Sequence, residues 1–153
     1  MVDRQTSRTL GNKGFSLVEL LMIMAIVGIL ASLSIPAYNN YVNKTKTGRA
    51  KSEIRTLGTE ITGWSLDHSN TPPANLTLIG RDNLLDPWKN PYVYLPVPAL
   101  QDDLGVHNLN TDFDVYSKGA DGLGTTAGGD PRNKDDITRA NDGTFVGMRE
   151  EFE

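Results

Sequence analysis

The sequence predicts an α+β fold in which one long N-terminal α-helix packs on a small antiparallel β-sheet domain carrying a C-terminal acidic loop. Three observations predict it. Residues 20–31, LLMIMAIVGILA, run twelve residues without a polar side chain. Further on, Ala50, Ile54, Leu57, Ile61 and Trp64 recur at spacings of four and three, the stripe of a helix with one apolar face. The rest of the chain has two short strand-like runs among many turns, Val93-Tyr94-Leu95 and Phe113-Asp114-Val115-Tyr116-Ser117.

The length of 153 residues fits one globular domain with an appendage. Mean hydropathy is -0.36, so the apolar run sits in an otherwise polar chain. There is no cysteine. Disulfides, thiolate metal sites, cysteine nucleophiles and c-type haem attachment are therefore excluded, and a small domain of this kind must be stabilised in another way, a bound metal or a neighbouring subunit being the usual candidates. Net charge is -4. The first fourteen residues carry Arg4, Arg8 and Lys13 against Asp3, which leaves -6 on the remainder. An acidic body disfavours nucleic acid as a partner.

The division expected from the N-terminus is a basic leader over 1–14, an apolar helix over 15–36, its amphipathic continuation over 37–68 and a globular part over 69–153. The order, basic and then apolar, is that of a secretory signal, and Ala25, Ala31 and Ser32 could imitate a signal cleavage site. Two features favour cleavage before the apolar run and retention of the helix. Phe15 to Ile35 would span roughly 31 Å as a helix, close to a bilayer core. Glu19 lies inside this stretch, where an ionisable group costs a few kcal/mol and usually has a partner. The plain alternative is that Glu19 sits at the bilayer surface, merely solvated. Pro36 removes a backbone donor in mid-helix, so a kink or local melting is expected there. No Gly/Ser linker follows, and a single helix from Phe15 to about Leu66 would measure roughly 78 Å.

The segment Lys13-Gly14-Phe15-Ser16-Leu17-Val18-Glu19-Leu20-Leu21 resembles the signature of the type IV pilin-like family, which covers type IV pilins and the pseudopilins of type II secretion. The resemblance implies cleavage between Gly14 and Phe15 by a prepilin peptidase and N-methylation of Phe15. It also implies pairing of Glu19 with the Phe15 amino group of a neighbouring copy, and an unwinding region at Pro36. DPWKNPYVY at 86–94, FDVYSKGADG at 113–122 and DDI at 135–137 resemble the major pseudopilin most. That family usually has glycine where Lys89 stands, and Gly-Asn-Trp where Thr138-Arg139-Ala140 stands. The absence of a C-terminal disulfide pair also leans towards a pseudopilin.

Residues 117–137, SKGADGLGTTAGGDPRNKDDI, bring Asp121, Asp130, Asp135 and Asp136 into one glycine-rich loop. Carboxylates and carbonyls are hard ligands suited to calcium, but the spacing is not that of an EF-hand. By spacing alone a solvated acidic turn is the better reading. The resemblance reverses that preference: it implies calcium held by Asp121, Asp135 and Asp136 with backbone oxygens near Lys118 and Leu123, and Asp130 as a substitute ligand.

No catalytic constellation accompanies these features, and His68 and His107 lie in no metal or nucleophile motif. The expected function is a structural subunit, not an enzyme. The resemblance implies that it polymerises with itself and meets the peptidase, an inner-membrane assembly platform and minor pseudopilins, with its globular part in the periplasm of a bacterium. A surface pilus subunit and a membrane-tethered binding domain that never polymerises are the alternatives. Trp88, Tyr92 and Tyr94 are expected in the core, and Leu76, Leu78 and Ile79 against the helix.

Overall fold

The computed structural model describes residues 14–102 and 104–152. Residues 1–13, and with them Arg4, Arg8 and Lys13 of the leader, lie outside the described residues. Two compact units divide at Tyr41 and Val42. Helix α1 runs from Leu17 to Asp67. Strands β1 (Val93–Leu95), β2 (Asp114–Ser117), β3 (Ile137–Ala140) and β4 (Phe145–Met148) form one sheet in the order β1-β2-β3-β4, every neighbouring pair antiparallel.

In the first unit, every described side chain from Phe15 to Tyr41 is exposed. The helix continues through Pro36, so the expected local melting does not occur in the single chain. One missing donor frees only the Ser32 carbonyl. The turns on either side keep their bonds, and the hydroxyls of Ser32 and Ser34 fold back onto the carbonyls of Ile29 and Leu30, at 2.7 and 2.8 Å.

In the second unit, Ala50, Ile54, Leu57 and Ile61 are fully buried. The stripe ends one residue later than its spacing suggests. Ser65 takes the buried position, its hydroxyl donating to the Ile61 carbonyl at 2.8 Å, while Trp64 is half-buried with His68 stacked on it at 3.7 Å. Tyr92, Phe113, Val115, Ile137 and Val146 meet the helix stripe, with Trp88, Tyr94, Leu76 and Ile79 at the margin. Leu78, expected there too, is 54% exposed: on the 3-10 turn Leu76–Ile79 its neighbours take the inward positions. Tyr92 donates to Glu53 at 2.7 Å, and burial pushes its hydroxyl well above the usual tyrosine range.

Strand alternation sends the intervening residues to the other face. There Leu100 and Leu109 pack on Tyr116 and Ala140, so the segment between β1 and β2 covers the side of the sheet away from α1. Asp114 holds that segment in place, accepting from the backbone of Ala99 and Leu100 and from Asn110.

Two strands were expected and four are present among the described residues. Strands β3 and β4 flank Asn141-Asp142-Gly143, three successive residues at positive φ (50°, 54° and 94°), and an Asp-Gly turn signal was there to be read. Thr138-Arg139-Ala140 lies within β3. Arg139 is buried, lies over the Phe113 ring at 4.1 Å and grips Asp112 through both guanidinium nitrogens at 2.6 and 2.7 Å. Lys89 closes the turn from Asp86 at φ +76°, a left-handed conformation that favours glycine.

Three outcomes follow for urea unfolding of the full chain in detergent. Leu57→Ala costs about 2–5 kcal/mol, whereas Leu78→Ala changes stability by no more than about 0.5 kcal/mol. Lys89→Gly relieves the left-handed backbone and raises stability by about 1 kcal/mol.

Candidate functional site

Two regions concentrate chemistry, the start of α1 and the loop between β2 and β3. Gly14, Phe15 and Ser16 precede the helix, and the Ser16 carbonyl accepts the Leu20 amide at 3.1 Å, which opens the helical ladder. Glu19 falls in the first turn, where the helix dipole favours an acid. It has no hydrogen-bond or ion-pair partner among the described residues, and its neighbours Phe15, Val18, Leu20 and Ile23 are all exposed. The helix contains an 18-residue window of mean hydropathy 2.4, long and apolar enough to cross a membrane. A carboxylate on an apolar helix of this kind calls for a cationic partner once the helix leaves water.

The acidic loop is pinned at both ends. Ser117 donates to Asp86 and accepts from the Gly119 amide, while Asn90 donates to the Gly119 carbonyl at 3.1 Å. Asp86 is buried and also accepts from the amides of Trp88 and Asn90, so the Asp86–Asn90 turn and the loop entrance form one hydrogen-bonded block. At the exit, Asp135 reaches back and accepts from the amides of Ala120 (2.7 Å) and Asp121 (3.1 Å). Gly119 lies so close to Asp135 that any side chain there would overlap its backbone. Asp121 accepts from the Leu123 amide at 2.7 Å.

Asp136 is the anomaly. It is fully buried, and neither carboxylate oxygen has a hydrogen-bond partner. Burial pushes its carboxyl up to about 8; Arg149 pulls it down, Asp135 and Asp121 push it further up, and Lys118 pulls it down. Gly124 leaves room beside it, since a Cβ there would come within 2.7 Å of the carboxylate. A buried acid with both oxygens free is costly unless it is protonated or paired with a cation.

Asp121, Asp135 and Asp136 are thus brought into mutual electrostatic range, with Lys118 nearby. Asp130 is not left free for them. It caps the 3-10 turn Pro131–Asn133 and pairs with Arg132 at 2.6 Å, which holds its carboxyl well below the usual range. The Leu123 side chain is 52% exposed. Among the described residues, no three histidine, cysteine or acidic side chains are grouped so as to hold a metal ion.

Arg149, absent from the sequence expectations, organises the loop. It is buried and donates to the carbonyls of Gln101, Thr125 and Ala127 at 2.7, 2.9 and 3.1 Å. The one available signal was an arginine directly after the apolar Phe145–Met148 run, which gives no indication of burial.

Similarity to known proteins agrees with this anatomy. Residues 10–35 match the family described as the prokaryotic N-terminal methylation motif. The type II secretion system core protein G of Pseudomonas aeruginosa is 30% identical over 129 residues, covering 71% of this chain and 84% of the relative. The type IV major fimbrial protein FimA of Dichelobacter nodosus is 39% identical over 74 residues, covering 48% of this chain and 47% of the relative. A fimbrial protein of Pseudomonas aeruginosa is 49% identical over 81 residues, covering 48% and 53%. The chain thus spans about half the length of these fimbrial relatives. No solved structure matches. The motif at residues 10–35, the similarity to protein G over most of both chains, and one long helix on a four-stranded antiparallel sheet have one reading in common: this chain belongs to the type IV pilin-like family.

Proposed function

We propose that this pilin-like subunit is a major pseudopilin, which polymerises into a helical fibre that drives type II protein secretion across the outer membrane. The observation that carries this reading is the uncovered apolar helix with Glu19 in its first turn. After cleavage between Gly14 and Phe15, a membrane holds the helix. In the fibre, neighbouring helices replace the lipid, and the methylated amino group of Phe15 on one copy neutralises Glu19 on the next. Removing one partner of a buried ion pair costs about 3–5 kcal/mol, far more than at a surface. The peptidase, an inner-membrane platform and minor pseudopilins are the expected partners, with the globular part in the periplasm. The similarity to protein G over most of the chain supports this choice. The reading as a surface pilus subunit draws on the higher identity of the fimbrial relatives, which is confined to about half of the chain.

Calcium belongs to the same proposal. The orphaned carboxylate of Asp136 suits a cation, and Asp121, Asp135 and backbone oxygens near Lys118 and Leu123 would complete a hard-oxygen set. Asp130, engaged by Arg132, would serve only if that pair opened. The ion would supply the positive charge that lets Asp136 ionise without leaving the interior.

Electron microscopy of sheared and periplasmic fractions tests the fibre: Glu19→Ala inserts into the membrane but yields no fibre, and normal fibre yield from it would count against the pairing. The second test follows from Asp136. With chelator present, the unfolded chain loses this proton near the ordinary value of 3.8 while the folded chain keeps it to about 8. Stability contributed by the protonated acid is therefore complete below pH 4, declines as pH rises and is gone above 8. The melting temperature of the full chain in detergent with chelator should fall between pH 5 and 8. Calcium should restore it most at pH 8, and Asp136→Asn should flatten both responses. A melting curve indifferent to calcium at pH 8 would overturn the metal site.

A further inference from the structure

A groove of about 530 Å³ opens between the second half of α1 and the β3–β4 hairpin. Ile54, Leu66 and Val146 give it apolar walls. Gly58, Thr62 and Gly63 line its helical side, and small side chains there keep it open. Folding within the chain does not demand these glycines. A Cβ at Gly63 would meet nothing within 4 Å, and one at Gly58 would make only ordinary contact with Arg139 at 3.6 Å. Each mid-helix glycine costs about 1 kcal/mol relative to alanine, so their use lies in what enters from outside. Arg55 stands on the same wall, exposed and without an ion-pair or hydrogen-bond partner for its guanidinium among the described residues.

The complementary shape is elsewhere on the same molecule. The segment between β1 and β2 exposes Val97 (74%), Leu104 (84%) and Val106 (65%). Two bonds join its described residues: the Asp102 amide donates to the His107 carbonyl at 2.8 Å, and the Asp102 carboxylate accepts from the Val106 amide at 2.9 Å. That bond and His107 hold the carboxyl below its usual range, so the tip is apolar and anionic. The segment lies on the sheet face away from α1, through Leu100 and Leu109, whereas the groove lies on the α1 side. A copy therefore cannot fill its own groove with its own tip. Two different patches meeting head to tail form a heterologous contact, which extends a filament wherever the rotation between copies does not close into a ring.

We propose that the Leu104–Val106 tip of one copy seats in the groove between α1 and the β3–β4 hairpin of the next, with Arg55 facing the carboxylate of Asp102. The contact rests on the fibre reading above and adds to the apolar helix a second, aqueous point of registration between copies. It also brings a cation to an acid between chains that each carry a net -6 beyond residue 14.

The chain has no cysteine, so cross-linking is free of background. Thr62→Cys combined with Leu104→Cys, both at exposed positions, is assembled in cells as the full chain and oxidised. A ladder of dimers and higher multimers is expected, at least tenfold stronger than from Thr62→Cys combined with Leu78→Cys, and each single variant should stop at the dimer. Fibres visible by electron microscopy without that ladder, or an equal ladder from the Leu78 pair, would overturn this contact and leave the fibre reading intact. Absence of fibres from the unmodified chain would overturn both.

Discussion

An apolar helical surface needs something to cover it, and this chain provides a cover for only half of its long helix. From Ala50 to Ile61 the stripe is sealed by Phe113, Val115, Ile137 and Val146. From Phe15 to Ile35 the side chains are mostly apolar, and every one of them is exposed. At about 25 cal/mol per Å² of apolar surface, such a segment cannot remain in water. Lipid and a bundle of identical helices are both adequate covers. A helix that accepts either one in turn is suited to a subunit that moves from membrane to polymer.

In the proposed fibre, Glu19 would make that exchange directional. An apolar helix without a charge would be equally content in lipid. One carboxylate near its start adds a cost in the membrane, which a neighbour's amino group would remove in the proposed fibre. On that proposal the acid penalises the membrane form relative to the fibre, and it lies in the first helical turn, where the helix dipole tolerates a negative charge.

The globular unit shows how a small domain without disulfides stays ordered through polar anchors. Asp114 holds the segment over the far face of the sheet, Arg139 ties Asp112 across the Phe113 ring, and Arg149 gathers three carbonyls from two loops. Each anchor fixes chain that has too few apolar residues to pack unaided. Asp136 is the exception among these buried groups, since it joins no such network. Its unsatisfied oxygens lie beside a loop in which Gly119 and Gly124 let the backbone come close to the carboxylates of Asp135 and Asp136.

The sequence by itself determined the features that depend on local pattern. The long helix, its apolar first half, the buried stripe and strands β1 and β2 are legible because periodicity and β-branched or aromatic runs act over neighbouring residues. Tertiary structure decided the rest. Strands β3 and β4 are short and carry Arg139, whose burial rests on Asp112, 27 positions away in the chain. Leu78 and Trp64 look apolar in sequence, yet the 3-10 turn leaves Leu78 exposed and the helix phase leaves Trp64 only half-buried. Asp130 and Asp136 look alike in sequence. An adjacent arginine satisfies the first, while long-range packing strips the second of water and partners alike, and only contacts remote in the chain distinguish such a pair.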